Sequence, residues 1–281
     1  MNQLLVEQKL REFFNEDIGT GDLTVTAIYR EGEVMKGTLI AKQEGVFAGE
    51  AVIATGYSLL DSKAKVDFFI KDGETVSVGD KIAEVTANVH ALLSGERVIL
   101  NLIQRMSGIA TLTSLAKQRL NDSHIQICDT RKTVPGLRMF DKYAVRCGGG
   151  MNHRIGLYDG VMIKDNHIVA AGGIKEAVQR VKSVLGHMVK IEVETESEEE
   201  VKEAVEAGAD IIMFDNCTPE KIKEFVKLVP EHIITEISGG ITLENIAHYQ
   251  GTGVHYLSLG FLTHSVTSLD ISFNLQGGRK G

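Results

Sequence analysis

A regular alternation of short apolar segments, polar loops and helical stretches dominates the chain from residue 125 onward. The last three apolar segments end at Asp215, Ile237 and Leu259, so consecutive ends lie 22 residues apart. A repeat of this length holds one strand, one loop and one helix, and strands joined through helices run parallel. The second half of the chain is therefore predicted to form a parallel α/β sheet.

The number of these repeats limits the architecture of the sheet. Helices are indicated between the strands, most clearly where Ser197 and Glu200 form a capping box and where Thr218 precedes Pro219. About six strand–helix units can be counted. They favour an open, incomplete parallel α/β barrel of six or seven strands over a closed barrel of eight. A three-layer α/β sandwich remains an open alternative.

The first part of the chain has a different, strand-rich pattern. The segments 37–41 and 65–70 are typical of strands, and a helix is predicted over 48–60. A longer helical stretch follows over 92–120, with an interruption expected at Gly108. This succession of strands and helices, without the later repeat, predicts a small α+β domain ahead of the barrel.

These patterns divide the chain into two predicted domains. We place an N-terminal α+β sandwich domain at 1–110 and the barrel domain at 111–269, and we expect the tail 270–281 to pack back on the first domain. The segment 72–80 is similar to the hairpin of biotinyl and lipoyl carrier domains. No lysine stands at the next turn, 88–90, where a carrier would be modified. A carrier function is therefore not expected.

Net charge is distributed unevenly along the sequence. The whole chain has a net charge of −8, yet residues 97–167 contain 11 Lys and Arg against 5 Asp and Glu, a local net charge of +6. An acidic protein with one basic region of this kind directs that region at small anions. The overall negative charge argues against nucleic acid as a partner.

No membrane or secretory segment is recognisable in the sequence. The longest stretch without Asp, Glu, Lys or Arg, 245–269, contains three histidines and is too polar to span a bilayer. The N-terminus lacks the apolar core and cleavage site of a signal peptide. The three cysteines are far apart and form no C-x-x-C pair. We therefore expect a cytoplasmic protein without a membrane partner.

Polar and charged residues stand at the ends of the predicted strands, where the active site of a parallel α/β barrel lies. They are Arg131, Lys132, Lys164, Glu194, Asp215, the loop 238–240 and Gly260. Arginine and lysine bind carboxylates and phosphates. The Ser-Gly-Gly loop and a helix predicted to start at Thr242 would present backbone N–H groups to a phosphate. These features predict a site for an anionic, phosphorylated substrate.

Glu194 and Asp215 are the two carboxylates predicted at neighbouring strand ends. Carboxylates there can hold Mg²⁺ through water, bind sugar hydroxyls or stabilise a developing positive charge, and the residues alone leave these alternatives open. His153 and His264 lie close to the same ends and are further candidates. The chain has no G-x-G-x-x-G and no P-loop motif, so a dinucleotide or P-loop site has no support.

Long motifs in the chain resemble those of the quinolinate phosphoribosyltransferase family. They include DTRKT at 129–133, KYAVRCGGGMNHRIGLYDGVMIKDNH at 142–167, IEVE ending at Glu194, FDN at 214–216, EDIGTGDLT at 16–24, NLIQRMSGIAT at 101–111, SGG at 238–240 and LGFLTHS at 259–265. The resemblance implies that quinolinate and phosphoribosyl pyrophosphate are converted, with Mg²⁺, into nicotinate mononucleotide, pyrophosphate and CO₂. Phe261 departs from the smaller residue expected in the last motif.

The resemblance also implies roles for individual residues. The expected grips on quinolinate and pyrophosphate are Arg105, Thr130, Arg131, Lys132, His153, Arg154 and Lys164. Glu194 and Asp215 are expected to engage the ribose hydroxyls and the metal and, with Lys132, to act in catalysis. The expected cradle for the 5′-phosphate is Ser238, Gly239, Gly240, Gly260 and His264.

The resemblance implies an assembly as well. In this family an N-terminal α/β sandwich precedes an open barrel, and two subunits form a homodimer. Arg105 would then reach the active site of the neighbouring subunit. A paralogous phosphoribosyltransferase of the same fold that acts on another acid remains the alternative, because specificity is a difference of affinities that the sequence does not display.

Overall fold

The computed structural model describes residues 1–30 and 32–276 and divides the chain into two compact units. The first comprises Met1–Ser114, Met139–Gly149 and the segment from Ser265; the second comprises Leu115–Arg138 and Gly150–His264. The domain limits at residues 110 and 269 stay predictions. The sequence pattern did not indicate that 139–149 belongs with the first unit.

The first unit is built on an antiparallel sheet of four strands in the order β12–β1–β5–β3. These strands are β1 (Val34–Ala41), β3 (Lys65–Phe68), β5 (Lys81–Asn88) and β12 (Ile271–Gln276). The short strands β2 (Gly45–Val46) and β4 (Thr75–Val76) form a separate antiparallel pair. Strand β12 pairs with β1 along its whole length, so the C-terminal segment is an edge strand of this sheet. Residues 277–281 of the predicted tail lie outside the described residues.

Five helices begin in or belong to this part of the chain: α1 (Gln3–Ile18), α2 (Leu23–Ile28), α3 (Glu50–Leu60), α4 (Val89–Leu120) and α5 (Arg138–Cys147). The interruption expected near Gly108 is wrong, because α4 is continuous there. A Cβ atom on Gly108 would lie 2.2 Å from the carbonyl oxygen of Thr267. This glycine therefore permits close packing of the backbone rather than ending the helix.

Helix α4 is the one helix of the described chain that is long and apolar enough to cross a membrane by length and composition. In the structure, 61% of its most apolar stretch is buried inside the protein. Met106 and Ile109, for example, are completely inaccessible to solvent. Burial of this kind is typical of a core helix.

The second unit contains a parallel sheet of six strands in the order β6–β11–β10–β9–β8–β7. The strands are β6 (Gln126–Cys128), β7 (Val161–Ile163), β8 (Ile191–Thr195), β9 (Ile211–Asp215), β10 (Ile234–Ser238) and β11 (Tyr256–Ser258). From β7 to β11 each strand lies beside its predecessor, and β6 then lies beside β11. A doubly wound sandwich would reverse direction at a switch point. The six-stranded open barrel is confirmed, and its opening lies between β6 and β7, where Met151 forms a single bridge to Cys128.

Helices lie between strands of the barrel: α6 (Asp165–Ala171), α7 (Ile174–Val184), α8 (Glu198–Ala207) and α9 (Pro219–Val226). The short helix α10 (Phe261–His264) follows the last barrel strand, β11. The capping box before α8 and the Thr218 cap of α9 are confirmed. The helix predicted from Thr242 is wrong, since only a short 3₁₀ helix, Ile246–Tyr249, follows. Thr242 accepts from the backbone of Glu244 and donates its own N–H to Asn245, and these local bonds hold a turn instead.

Candidate active site

The inner face of the barrel is polar because acidic side chains alternate with apolar ones along the strands. Val193 on β8 and Phe214 on β9 are fully buried on the opposite face. The strand register places Glu194 opposite Met213, and Asp215 opposite Ser238. The side chains at these carboxyl ends therefore converge on one space.

That space is a cavity of about 610 Å³. The predicted site residues that line it are Thr130, Arg131, Lys132, His153, Arg154, Lys164, Glu194, Asp215, Ser238, Gly239 and Gly240. They come from five strand ends and from the loop that follows the Met151 bridge. The barrel thus brings together most of the residues selected from the sequence, while the role of each remains a prediction.

Two guanidinium groups form the cationic side of the cavity. The Nε of Arg131 is buried and has no hydrogen-bond partner among the described residues. Arg154 donates from Nη1 to the carbonyl oxygen of Gly160 at 2.8 Å. Burial, and then the neighbouring charge of Arg131, lower the pKa of Arg154. Two like charges held together in a partly buried wall favour the binding of an anion.

The acidic side of the cavity lies on adjacent strands. Lys164 Nζ contacts Glu194 Oε2 at 2.5 Å. Burial, followed by the charge and hydrogen bond of Glu194, raises the pKa of Asp215 to about 6. Asn216 donates from Nδ2 to Asp215 Oδ2 at 2.5 Å, with its own backbone in the left-handed region at φ +52°. The two carboxylates are therefore close enough to interact, and Asn216 orients one of them.

The Ser-Gly-Gly loop packs tightly against Asn216. Gly239 and Gly240 have φ angles of +90° and +62°. A Cβ atom on Gly239 would lie 2.2 Å from Asn216 Oδ1, whereas one on Gly240 would meet open space. Asn216 also donates its backbone N–H to the Ser238 carbonyl oxygen at 2.9 Å. Glycine at position 239 is required for this approach, and it leaves the loop backbone accessible from the cavity.

Three predicted residues do not line the cavity. A Cβ atom on Gly260 would lie 3.0 Å from Lys132 Cδ and 3.2 Å from His264 Cδ2, so this pair adjoins Lys132. Arg105 belongs to the first unit, where its Nε and Nη2 contact the two carboxylate oxygens of the fully buried Asp141 at 2.8 and 2.9 Å. Its expected contribution to a neighbouring subunit stays a prediction.

Some lining residues were missed by sequence reasoning. Met162, Met213, Asn216 and Ser258 also face the cavity. Met162 pairs with Glu192 on β8, and Met213 with Glu194, so the period-two pattern of the strands was the signal that pointed to them. Asn216 directly follows Asp215 in the FDN motif.

Comparisons with known proteins identify the family of the chain. Family models for quinolinate phosphoribosyl transferase match its N-terminal domain over residues 22–107 and its C-terminal domain over 109–274. The probable nicotinate-nucleotide pyrophosphorylase (carboxylating) of Bacillus subtilis is 58% identical over 275 residues, covering 98% of this chain and 95% of that protein. NadC from Streptococcus pyogenes superposes with a TM-score of 0.95 at 38% identity, covering 98% of both chains. The nicotinate-nucleotide pyrophosphorylase of Francisella tularensis superposes with a TM-score of 0.93 at 36% identity and the same coverage. On the strength of both domain matches and these relatives, the chain belongs to the quinolinate phosphoribosyltransferase family.

Proposed function

We propose that the protein transfers a phosphoribosyl group from phosphoribosyl pyrophosphate to quinolinate, releasing pyrophosphate and CO₂ and forming nicotinate mononucleotide. The observation that carries this proposal is the pairing, in one cavity, of the Arg131 and Arg154 guanidiniums with the Glu194 and Asp215 carboxylates. Quinolinate has two carboxylates for the cations. The ribose hydroxyls and the cationic reaction centre suit the acidic side.

The acidic pair accounts for the transfer step. Departure of pyrophosphate leaves positive charge on the ribose C1, and the carboxylates of Glu194 and Asp215 stabilise that charge. The quinolinate nitrogen then attacks C1 with its lone pair while the cationic clamp fixes the ring. The ring nitrogen is now quaternary, so the bond to the 2-carboxylate breaks, its electron pair stays on the ring, and CO₂ leaves. A solvent proton replaces the lost carboxylate.

Mg²⁺ is proposed as the cofactor, held by Glu194 and Asp215. Burial, and after it the neighbouring Glu194 carboxylate, raise the pKa of Asp215, and a bound divalent cation would relieve the repulsion between the two carboxylates. Oxygen ligands are also those that Mg²⁺ prefers. Because Lys164 already contacts one oxygen of Glu194, we expect part of the coordination to run through water. When bound, the ion would neutralise charge on the departing pyrophosphate.

A homodimer in which Arg105 completes the site of the neighbouring subunit is also proposed. The fork between Arg105 and Asp141 fixes this side chain in a defined direction. Arg105→Ala and Lys164→Ala, each inactive alone, should regain partial activity when co-assembled, because one of the two mixed sites is intact. Mixed dimers without activity would contradict shared sites.

Cellular location and partners complete the proposal. The cysteines Cys128, Cys147 and Cys217 are all free, which suits a reducing cytoplasm. The net charge of −8 supports the absence of a nucleic-acid partner, and the burial of α4 supports the absence of a membrane partner.

The reaction is tested by measuring pyrophosphate and CO₂ release from the purified protein with phosphoribosyl pyrophosphate and Mg²⁺. Quinolinate, nicotinate and a sample without acceptor are compared. We expect both products with quinolinate alone. Release of pyrophosphate without dependence on quinolinate would contradict the proposed acceptor, and a parallel sample with chelator in place of Mg²⁺ tests the cofactor.

A further inference from the structure

A second polar cluster lies deeper in the barrel, away from the strand ends. One ligand atom each of His153, Glu192 and Glu236 lies within 4.8 Å of the others. Glu192 and Glu236 are only 3% and 4% exposed. They line a separate cavity of about 300 Å³, and His153 and Arg154 are shared between this cavity and the larger one. The cluster of His153, Glu192 and Glu236 therefore lies beneath the cationic side of the larger cavity, to which Arg154 belongs.

Both ring nitrogens of His153 are engaged by the protein. Nδ1 accepts a hydrogen bond from the backbone N–H of Arg154 at 2.8 Å. An accepting Nδ1 carries no proton, so Nε2 carries it. Nε2 lies 3.1 Å from Glu192 Oε2 and 3.4 Å from Glu236 Oε1. His153 is thus a neutral Nε2–H tautomer that donates to the acidic pair.

A metal ion does not fit this cluster, although one histidine and two carboxylates are typical ligands. A metal-bound imidazole donates its other ring N–H to an acceptor. His153 does the reverse, because its Nδ1 receives the Arg154 N–H. A metal on Nε2 would need a ring without any proton.

Instead, Glu236 holds its proton more tightly than an ordinary carboxyl group does, because its pKa is raised. Burial, and next the charge of Glu192, raise the pKa of Glu236 to about 7, while His153 and the Ser258 hydroxyl act in the opposite direction. Ser258 Oγ contacts Glu236 Oε1 at 2.5 Å. Two further charged groups face the pair. Burial and the charge of Arg131 lower the pKa of Arg154, and the charge of Glu192 acts against these larger effects and raises it. Asp129 accepts from the backbone N–H of His153 at 2.9 Å and anchors that residue to the end of β6.

We propose that Glu192 and Glu236 are positioning residues that lock the His153 imidazole, which in turn holds the Arg154 backbone and so aims the Arg154 guanidinium at the acid substrate. This inference rests on the proposed function for the identity of that acid. It also assigns His153 itself a positioning role, since neither of its nitrogens is available to donate to the substrate.

The tautomer is tested by ¹⁵N NMR of the imidazoles in histidine-labelled protein, with His153→Asn identifying the resonances. We expect an unprotonated Nδ1 and a protonated Nε2 at neutral pH, unchanged by added Zn²⁺ or Mn²⁺. A protonated Nδ1, or a metal ion retained by the wild-type protein and lost in His153→Asn, would overturn the proposal. This measurement needs no substrate, so it stands even if the proposed reaction fails.

The positioning role is tested by steady-state kinetics. In Glu192→Leu the Nε2–H loses its nearest acceptor and keeps only the more distant Glu236. We expect the KM for quinolinate to rise about 10- to 100-fold, as for a displaced binding group, while the KM for phosphoribosyl pyrophosphate changes little. Glu192→Gln retains an accepting oxygen and should restore the KM to within a few-fold. A Leu variant that folds and keeps the wild-type KM, or equal losses in the Leu and Gln variants, would contradict the role.

Discussion

Replacing Glu236 by glutamine is expected to stabilise the protein at alkaline pH and to change its stability little at acidic pH. Burial and Glu192 raise the pKa of Glu236 from 4.5 to about 7. Between pH 4.5 and about 7, the folded protein therefore keeps a proton on Glu236 that the unfolded chain releases. The stabilisation from the protonated carboxyl is present below pH 4.5 and is lost as the pH rises through about 7. Glutamine is neutral throughout and avoids this loss.

The size of the effect follows from the two pKa values of this carboxyl. The difference between 4.5 and about 7 corresponds to about 3 kcal/mol in the free energy of unfolding. Solvent screening reduces it little, because Glu236 is 4% exposed. Each kcal/mol shifts the Tm of a large domain by about 2–4 °C. The Tm difference between Glu236→Gln and wild type should therefore increase by about 6–12 °C from acidic to alkaline pH.

Thermal unfolding followed by circular dichroism over a series of pH values measures this difference directly. Titrating groups that do not interact with Glu236 contribute equally to both proteins and cancel in the comparison, so the difference reports Glu236 together with its neighbours Glu192 and His153. The matched control is Glu206→Gln on the exposed surface of α8, whose Tm should follow that of wild type at every pH. Parallel curves for Glu236→Gln and wild type would show that Glu236 is ionised like an ordinary carboxyl, and its raised pKa would be refuted.

Three further predictions concern the barrel. Asp215→Asn should lower kcat about 100-fold, since a carboxylate about 5 Å from a unit charge contributes about 3 kcal/mol at a dielectric constant of about 20. The same substitution should also remove the fall in rate below about pH 6 that the raised pKa of Asp215 causes in wild type. A rise in KM with kcat intact would contradict the role of Asp215 in stabilising the developing charge. Gly239→Ala should cost more stability and activity than the control Gly240→Ala, because only the former collides with Asn216; equal effects by calorimetry and kinetics would count against the packing. Ser197→Ala, which removes a capping bond, should lower stability by about 1 kcal/mol in denaturant titrations and leave kcat unchanged.

The sequence predicts the barrel and its strand-end residues well because both depend on local patterns. Glu194 and Asp215 are polar residues that close apolar runs, and parallel strands bring such ends together whatever the details of packing. Glu236 gives no such signal, since it lies within a strand whose face is decided only by the sheet register. The ring orientation of His153 depends on contacts with residues far away in sequence, which no local pattern encodes.

Local signals also mislead where tertiary packing decides the outcome. Gly108 is a helix breaker by propensity, yet α4 continues through it because the Thr267 backbone packs where a side chain would stand. Thr242 is a good helix cap by residue type. Its bonds with the following residues close a turn before a helix begins. Both wrong predictions concern positions where a contact in the folded protein competes with the helix preference of a single residue. That preference is worth only about 1 kcal/mol, so the contact decides the local structure.

The acidic pair beneath the site is better explained by geometry than by stability. A buried pair of this kind can often be replaced by apolar residues without loss of stability. Here an apolar side chain at Glu192 would leave the His153 Nε2–H buried without its nearest acceptor, at a cost of about 1–3 kcal/mol, and would free the ring to turn. The Arg154 N–H would then lose its partner, and with it the fixed backbone that aims the guanidinium. Glu194, two residues along the same strand, reaches Lys164 and the cavity instead. Strand β8 thus supplies Glu194, which faces the substrate cavity, and below it Glu192, which holds His153 and through it the backbone of Arg154.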